Sequence, residues 1–588
     1  MAELPKEFSV PKMTGTHADI FTAVGLADLL QAACDKPVEI RDHGSAFGVD
    51  LESLSVHWQE RVPHSPGYKF LLDGKGGARP PKALDIVDVP AEFERQRRYF
   101  ENLKNAKGRH VDPEMQATIQ QEAPIPRWPV LALLMPGKLK AIDTWNRVAL
   151  AISDMSGDEF KRILAVALRN MAAGLPAGVK LPASSSGLIC PPQIKGFNEL
   201  KPAGTTRGSV PVDPFVEWLR YRGYWRCAHA VSMGESARVY VPVPGRIAID
   251  ALSNVVGRLE KHARSSSGPK SDILTALAIT RILIEGSEEY NQPGTEAIGK
   301  LRLLQGESPA DIISSLCVTE FVKTSSQAYG VRSISILAIP GWFAIESRQR
   351  ADEWLAILDE HERAINALLP RVKGKPVMRS EEIALLLKYR AFLQQRKDAA
   401  VLAFIEFLGA YGRFVMSENG ITRDGRPRWI RRFAANHIER LIMDTDNTML
   451  SIVHDQGFRA IARAVREVTV RSQNRKARQE EVWREIRYEL LPDLLRTRQL
   501  PGNSFVECVM QFACNYNREN SRRRESERNP KAAPANISDE ELASFISLVD
   551  EQHAPIVGAL LAAFGSCKTS RETDADTSSD VDETEGQA

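Results

Sequence analysis

The feature that most constrains this fold is a change in the spacing of apolar residues near Glu346. After that point apolar side chains recur at intervals of three and four, as in Ile383, Leu386 and Leu393, which is the pattern of helices with one buried face. The predicted helices are Ser347–Leu369, Ser380–Gln395, Asp398–Met416, Trp429–Asp444, Asp455–Leu490 and Ser504–Glu519. They contain enough residues to bury a core of their own.

The chain before Glu346 has a mixed pattern. Val38–Ile40 and Phe47–Leu51 alternate around a turn-like His43-Gly44-Ser45, which predicts a hairpin. Further strands are predicted at Tyr68–Leu72, Leu84–Val87, Arg238–Val243 and Arg332–Ile339. The predicted fold class is an α+β N-terminal part followed by an all-α helical bundle, predominantly helical overall.

The domain prediction follows from these patterns and from the length of 588 residues, which exceeds what one hydrophobic core supports. We expect an α+β domain over 1–345, with the Pro- and Gly-rich stretch 176–214 as the place for a subdomain break. A helical bundle domain is expected over 346–565. The last part, 566–588, is predicted to be an acidic disordered tail because it has almost no apolar content.

Composition also bears on location. No run of about 18 apolar residues is present, and the N-terminal sequence lacks the apolar core of a signal peptide. Seven cysteines are scattered and never form a CxxC pair, which indicates free thiols in a reducing compartment. The sequence therefore predicts a cytoplasmic protein.

No catalytic motif is convincing. Gly294–Lys300 has the GxxxxGK spacing of a phosphate loop, but Leu301 replaces the magnesium-binding hydroxyl residue. The adjacent His454 and Asp455 are typical of metal phosphohydrolases, yet a helix boundary with Asp455 as the N-cap explains the pair more simply. We expect no enzyme activity, no metal site and no cofactor.

The distribution of charge is more informative than its total. The net charge is +2, and removing the seven negative charges of Glu572–Ala588 leaves +9 on the rest of the chain. Ile421–Arg528 holds 22 basic and 15 acidic residues, and all but one of the basic residues are arginine. Arginine presents a planar fork of donors that can bind two phosphate oxygens, so this region predicts a nucleic-acid partner.

Two groups of basic residues in this region are candidate nucleic-acid contacts. The first is a loop with an aromatic residue among its guanidinium groups, a combination suited to phosphate contact and base stacking: Arg423, Arg426, Arg428, Trp429, Arg431 and Arg432. The second lies close to one face of a predicted helix: Arg471, Arg475, Lys476 and Arg478. The alternative is an arginine-rich surface whose side chains pair with nearby acids. A third run, Arg522–Arg524, is diluted by glutamates.

A loop in the front half is the candidate for reading base edges. Within Gln193–Arg207, three side chains alternate with glycine and proline: Lys195, Asn198 and Lys201. Amide side chains pair with adenine edges and lysine pairs with guanine. The alternative is a flexible connection with no such role.

The most aromatic segment is Phe215–Trp225. Its apolar members fit a core-facing helical stripe, and Arg220 and Arg222 are expected to project elsewhere.

Two of these segments carry a resemblance to a known family. The helix that begins His17-Ala-Asp-Ile-Phe-Thr-Ala-Val-Gly25 resembles the entry helix of large subunits in CRISPR effector complexes, and Asp213–Gly223 is similar to a segment found in some of them. The order of an α+β part and an arginine-rich bundle also resembles the type I (Cascade) large subunit. Local identity is confined to these short stretches.

The resemblance implies a non-catalytic function. The family's large subunit recognises a short motif in duplex DNA and begins strand opening, and its helical bundle steadies the displaced single strand. Guide RNA supplies most of the sequence specificity by base pairing. The implied partners are double-stranded and displaced single-stranded DNA, a guide-RNA complex with backbone subunits, and a separate helicase–nuclease.

Two other classes of function stay open. One is a helical scaffold whose arginines form salt bridges with protein partners, without nucleic-acid binding. The other is a metal-dependent nuclease with ligands dispersed along the chain.

Overall fold

The fold is taken from a computed structural model of the chain. It describes residues 4–72, 85–106, 117, 119, 122, 139–183, 188–191, 212–233, 236–262, 268–287, 307–325, 328–369, 371–372, 375–376, 379–395, 397–418, 420–421, 427–428, 430–443, 447–477, 480, 482–501, 503–526, 534–549 and 554–569. The GxxxxGK sequence at Gly294–Lys300 and the loop with Lys195, Asn198 and Lys201 lie outside these residues.

The described residues confirm the predicted fold class: an α+β N-terminal region precedes a helical C-terminal part, and the chain is predominantly helical. They divide into two compact units. Unit 1 comprises Met1–Ser266 and Thr275–Ala351, and unit 2 comprises Ser267–Leu274 and Asp352–Ala588. Unit 2 is therefore discontinuous in sequence.

Unit 1 contains the strands of both four-stranded sheets and one parallel strand pair. Its strands are β1 Glu7–Pro11, β2 Glu39–Asp42, β3 Ala46–Asp50, β4 Phe70–Leu72, β5 Ile86–Asp88, β6 His229–Met233, β7 Ser236–Pro244, β8 Arg246–Ala248, β9 Ile313–Ser325 and β10 Ala328–Ala338. The two larger sheets are antiparallel, with strand orders β1-β3-β2-β8 and β10-β9-β7-β6. Strands β4 and β5 pair in parallel.

The helices of unit 1 lie between these strands in sequence. They are α1 His17–Leu30, α2 Trp58–Arg61, α3 Val89–Ala106, α4 Leu139–Asp154, α5 Gly157–Ala172, α6 Pro214–Cys227, α7 Ile249–His262, the last part of α8 Gly268–Glu285, and α9 Pro309–Ile312. Asp213 caps α6 by accepting from the amides of Phe215 and Val216.

Helices α1 and α6, the two segments that carry the resemblance, pack on each other in the core of unit 1. Every residue of α1 is buried, so neither face is left for solvent. Two glycines allow the close approach. A Cβ at Gly25 would lie 1.9 Å from the carbonyl oxygen of Leu219, and a Cβ at Gly223 would lie 2.0 Å from that of Phe21.

Buried ion pairs connect the same two helices. Asp28 accepts from Arg222 (Nη2–Oδ2 2.5 Å) and pairs with Arg226 (Nε–Oδ1 2.5 Å). Arg220 donates to the buried Glu217. Arg220 and Arg222 are only 8% and 4% exposed, so the prediction that they project away from the core is wrong. A buried guanidinium is tolerated here because carboxylates are buried beside it.

Unit 2 is built from helices and two short strand pairs. Its helices are the first turns of α8, α10 Arg348–Ala367 (from Asp352), α11 Ser380–Gln394, α12 Lys397–Glu418, α13 Ala435–Met443, α14 Asn447–His454, α15 Gln456–Arg466, α16 Ser472–Ala477, α17 Leu490–Thr497, α18 Ser504–Ser526, α19 Asp539–Leu548 and α20 Ala554–Ser566. A π-turn, Glu467–Arg471, joins α15 to α16. The strand pairs are β11 Arg371–Val372 with β12 Lys375–Pro376, and β13 Gly420–Ile421 with β14 Pro427–Arg428.

The core of unit 2 includes α12 and α20. Within the described residues, Ala399–Glu418 of α12 is the one stretch long and apolar enough to cross a membrane. Two thirds of it (67%) is buried inside the protein, as a core helix would be. An aromatic cluster surrounds the buried His361, whose ring lies 5.0 Å from Phe404 and 5.1 Å from Phe433.

One carboxylate joins three parts of this bundle. Glu360 of α10 accepts from the Ala434 amide (3.0 Å) and from His437 Nδ1 (2.8 Å), and it lies 3.5 Å from Lys568 Nζ. Burial by itself raises the pKa of Glu360. The hydrogen bonds and charges of its partners outweigh burial, so the pKa is below the usual carboxyl value.

Three of the helices predicted from the spacing of apolar residues agree closely with the structure. α10, α11 and α12 begin and end within a few residues of the predicted bounds. The predicted helix Asp455–Leu490 is wrong beyond Ala477, where the described residues that follow are not helical until Leu490. Asp455 is an N-cap as expected, accepting from the Phe458 amide at 2.9 Å.

Candidate nucleic-acid interface

The described residues include part of the predicted contact set. Arg423, Arg426, Trp429 and Arg478 lie outside them, as do Lys195, Asn198 and Lys201. Arg428 lies in β14. The residues whose side chains can be placed are Arg431, Arg432, Arg471, Arg475 and Lys476.

The two predicted basic groups lie on neighbouring elements of unit 2. β14 includes Arg428 of the first group and pairs with β13, and β13 packs against α16, which carries the second group. Gln473 of α16 donates to the carbonyl of Met416 at 2.7 Å, which fixes α16 beside the end of α12 that leads into the hairpin. Residues about 50 positions apart in sequence are thus brought together.

Glu467 organises the second group. Its carboxylate accepts from Arg471 (Nη1–Oε2 2.8 Å) and lies 3.6 Å from Arg475 Nη1. Arg475 is also 4.0 Å from Glu480. Two guanidinium groups and two carboxylates balance each other here, so the excess positive charge of this group comes from Lys476. Lys476 is exposed and has no ion pair within the described part of the chain.

Arg431 and Arg432 point to different environments. Arg431 is exposed, and its carbonyl accepts from the hydroxyl of Tyr411 at 2.8 Å. Arg432 is 8% exposed, and its Nη1 lies 3.5 Å from the carbonyl oxygen of Cys567. In this structure Arg432 holds the end of α20, which leaves Arg431 as the member of this pair placed for an external contact.

A third group of contacts was not predicted, although one of its members, Arg523, belongs to the run Arg522–Arg524 noted in the sequence. The guanidinium carbons of Arg484 and Arg523 each lie 4.1 Å from the centre of the Trp483 ring. Arg484 also lies 4.2 Å from the ring of Tyr516. Such stacked cation–π arrangements are the kind found in proteins that hold single-stranded nucleic acid. The available signal was the sequence Trp483-Arg484, which the predicted long helix obscured.

Arg484 is the most buried basic side chain of this group, at 6% exposed. Burial lowers the pKa of Arg484 from its usual value, and interactions with Tyr516 and nearby glutamates offset this only in part.

The third group is continuous with the second. The amide of Arg487 donates to the carbonyl of Val468 in the π-turn at 3.0 Å, and the guanidinium of Arg487 pairs with Glu519 of α18. We use the term arginine cluster for these basic side chains and the two rings between them: Arg471, Arg475, Lys476, Trp483, Arg484, Arg487, Tyr516 and Arg523.

A groove of about 530 Å³ borders the cluster and marks one limit of it. Arg487 lines the groove together with three carboxylates, Glu485, Glu489 and Asp493. This acidic lining does not suit a polyanion, so the basic surface ends at Arg487.

In the described part of the chain, no group of three or more His, Cys, Asp or Glu side chains is arranged to hold a metal ion. All seven cysteines are free.

Comparison with known proteins adds no identification: no family model matches the chain, and no curated protein matches it significantly.

Proposed function

We propose that this chain is a non-catalytic nucleic-acid-binding protein that acts in the cytoplasm as the large subunit of an RNA-guided antiviral complex of the type I (Cascade) kind. In this proposal the arginine cluster holds the sugar–phosphate backbone of DNA. A loop of unit 1 containing Lys195, Asn198 and Lys201 recognises a short motif in the duplex. The partners are a guide-RNA complex with backbone subunits and a separate helicase–nuclease.

The observation that carries the proposal is the convergence of three separate basic stretches on adjacent elements of unit 2. The strand pair with Arg428 packs beside α16. The π-turn that precedes α16 is bonded to the segment after Trp483, because the Arg487 amide donates to the Val468 carbonyl. A phosphate backbone is a linear array of negative charge, and a basic surface of several elements suits it better than isolated arginines do.

The rings add a second kind of contact. Trp483 is partly exposed and lies within cation–π distance of Arg523, which is also partly exposed, so in this proposal a base stacks on the Trp483 ring while Arg523 contacts phosphate. Stacking of this kind does not depend on base identity. It therefore fits a protein whose sequence specificity is supplied by a guide RNA.

One observation favours the scaffold alternative. Arg471 and Arg475 pair with Glu467, and Arg487 pairs with Glu519, so several of these arginines already have carboxylate partners within the chain. If these pairs persist in every state of the protein, the cluster stabilises unit 2 and does not contact phosphate.

Binding measured against salt concentration separates the two. The full chain should bind labelled single-stranded, duplex and bubble DNA. Replacing Arg428, Arg431 and Lys476 with glutamine should weaken binding to all three. It should also flatten the plot of log affinity against log salt by about one unit per lost phosphate contact. Arg471 and Arg475 are avoided because their loss would leave the buried Glu467 unpaired.

A control variant removes the same charge elsewhere on unit 2. Arg363, Lys388 and Arg496 are exposed on α10, α11 and α17, and their replacement with glutamine should leave affinity and salt slope nearly unchanged. Equal effects of the two variants would assign the binding to net charge alone. No binding by the unmodified chain at low salt would reject nucleic-acid binding and favour the scaffold. Magnesium-dependent cleavage would point to the nuclease.

Motif recognition needs its own test. Lys195→Ala and Asn198→Ala should weaken binding to a duplex that contains the motif and should spare a bubble that is already open. Equal loss on both targets would contradict motif recognition by this loop. Co-expression with backbone subunits and guide RNA tests membership of the complex, because a large subunit should co-purify with them.

A further inference from the structure

Lys568, just beyond the end of α20, is fixed beside the stretch Phe433–Ala435, which directly follows Arg431 and Arg432 of the first basic group. The Lys568 amide donates to the carbonyl of Phe433 at 2.9 Å, and the Ala435 amide donates to the carbonyl of Lys568 at 3.0 Å. These two bonds hold Lys568 against the stretch that directly follows Arg431 and Arg432. The chain beyond this point therefore starts next to the basic surface.

That chain is strongly acidic. Glu572–Glu585 holds seven carboxylates and no basic residue, and Glu572 is four residues beyond Lys568. Four extended residues span about 13 Å, and the 17 residues from Lys568 to Glu585 span at most about 60 Å. The distance to the arginine cluster is within this range. Arg466 donates to the carbonyl of Phe564 in α20 at 2.8 Å, and the helix from Arg466 to Arg475 rises only about 14 Å.

Charge and tethering favour the same contact. Carboxylates are the natural partners of guanidinium groups, but an exposed pair contributes little by itself. A tethered segment is present at an effective concentration on the order of millimolar, so several weak pairs together can keep it bound. A nucleic acid with many phosphates would displace it.

We propose that the acidic segment Glu572–Glu585 binds the arginine cluster of its own chain and is displaced when nucleic acid binds there. The first part of this inference concerns only the chain itself, and the second part rests on the proposed function. The segment acts as a competitor that restricts the cluster to long or tightly held polyanions.

Zero-length carbodiimide cross-linking of the full chain tests the contact directly, because it joins a lysine to a carboxylate in contact with it. Lys476 is the only lysine in Ile421–Arg528 and belongs to the cluster. Peptides from 572–585 should be joined to Lys476 at low salt, and 0.5 M salt or heparin should abolish the product. Lys388, exposed on α11, is the matched control and should not react with this segment. Absence of the Lys476 product, or its formation only between two molecules, would overturn the proposal.

A charge-neutral variant tests the competition. Replacing the seven carboxylates of the segment with their amides should tighten DNA binding about tenfold at low salt and steepen the salt slope, since the cluster no longer exchanges one anion for another. Replacing Thr573, Ser578, Ser579 and Thr584 with alanine keeps the charge and should change neither. Unchanged affinity of the charge-neutral variant would overturn the competition.

The two proposals fail in distinguishable ways. If the Lys476 product forms but neither the unmodified chain nor the charge-neutral variant binds DNA, the contact within the chain stands and the proposed function is rejected. If DNA binds but the product is absent, the inference is rejected and the proposed function stands. Tighter binding without the product would mean only that the acidic residues repel DNA over a distance, which also rejects the inference.

Discussion

Gly25→Ala should destabilise unit 1 because it forces α1 and α6 apart. The added Cβ would lie 1.9 Å from the carbonyl oxygen and 2.6 Å from the carbonyl carbon of Leu219. Both are backbone atoms, so no side-chain rotation relieves the clash. Overpacking costs about 1–3 kcal/mol and more where the backbone must move, whereas alanine in place of helical glycine gains about 1 kcal/mol. Because backbone must move here, the cost lies at or above the upper end of that range, and we expect a net loss of about 2 kcal/mol or more.

Gly257→Ala is the matched control for this substitution. Gly257 lies within α7 of the same unit, and a Cβ there meets nothing within 4 Å. Only the gain in helix propensity applies, so this variant should be more stable by up to about 1 kcal/mol. Differential scanning calorimetry of the full chain is the assay. The transition that Gly257→Ala raises is that of unit 1, and Gly25→Ala should lower the same transition by several degrees. An unchanged or raised transition in Gly25→Ala would refute the close packing of the two helices.

Three further predictions concern buried ionisable groups. Asp28→Asn leaves two guanidinium groups without their carboxylate and should cost about 3–5 kcal/mol, measured by calorimetry against the exposed control Asp35→Asn. The pKa of Glu360 is lower in the folded chain than in the unfolded chain, so the carboxylate stabilises the fold above the usual carboxyl pKa. This stabilisation is lost as pH falls through the folded pKa. Glu360→Gln should therefore make the stability of unit 2, measured in melting curves, depend less on pH in that acidic range. Burial lowers the pKa of His229 to about 4, whereas in the unfolded chain the pKa is about 6.5. As pH falls between these two values the unfolded chain binds a proton that the folded chain does not, so the fold loses stability. His229→Phe should reduce this loss in melting curves recorded over a series of pH values.

Periodicity predicted the helices of unit 2 well where one face of each is buried by neighbours. It failed where tertiary bonds override it. The helix predicted over Trp429–Asp444 begins at Ala435 in the structure. The described residues before it are not helical, and their backbone is bonded to Tyr411 and Lys568 instead. Partners so distant in sequence leave no local pattern.

In unit 1, local sequence patterns also failed to predict one strand and the burial of one charged side chain. β9 was missed although, at 13 residues, it is the longest strand in the described part of the chain. Its consecutive residues 316–319 are all buried, so this stretch lacks the alternation that marks a strand with one exposed face. Arg222 was placed on the surface because arginine usually lies there. Its partner Asp28 is 194 positions away, and nothing near Arg222 in sequence indicates a buried carboxylate.

The sequence indicated which region and residue type form the candidate site, but it did not indicate how the side chains are arranged. The density of arginine identified the region, and the structure places the hairpin beside α16. The stack on Trp483 depends on Arg523, which lies 40 positions further along the chain on α18. No spacing rule connects these two residues.

The discontinuity of unit 2 affects how this protein can be made and divided. Lys270, from the short segment Ser267–Leu274, donates to the carbonyls of Asn366 and Leu368 at 2.6 Å each, and the buried Asp272 lies 3.5 Å from Arg390. A ribosome that has made Asp272 needs roughly 10 s more to reach Arg390, so this contact cannot form on the nascent chain before that time. A fragment that begins at Asp352 lacks both side chains and leaves the last carbonyls of α10 without their donor. Fragment complementation with a peptide covering 267–274 should therefore restore stability to a 352–588 fragment.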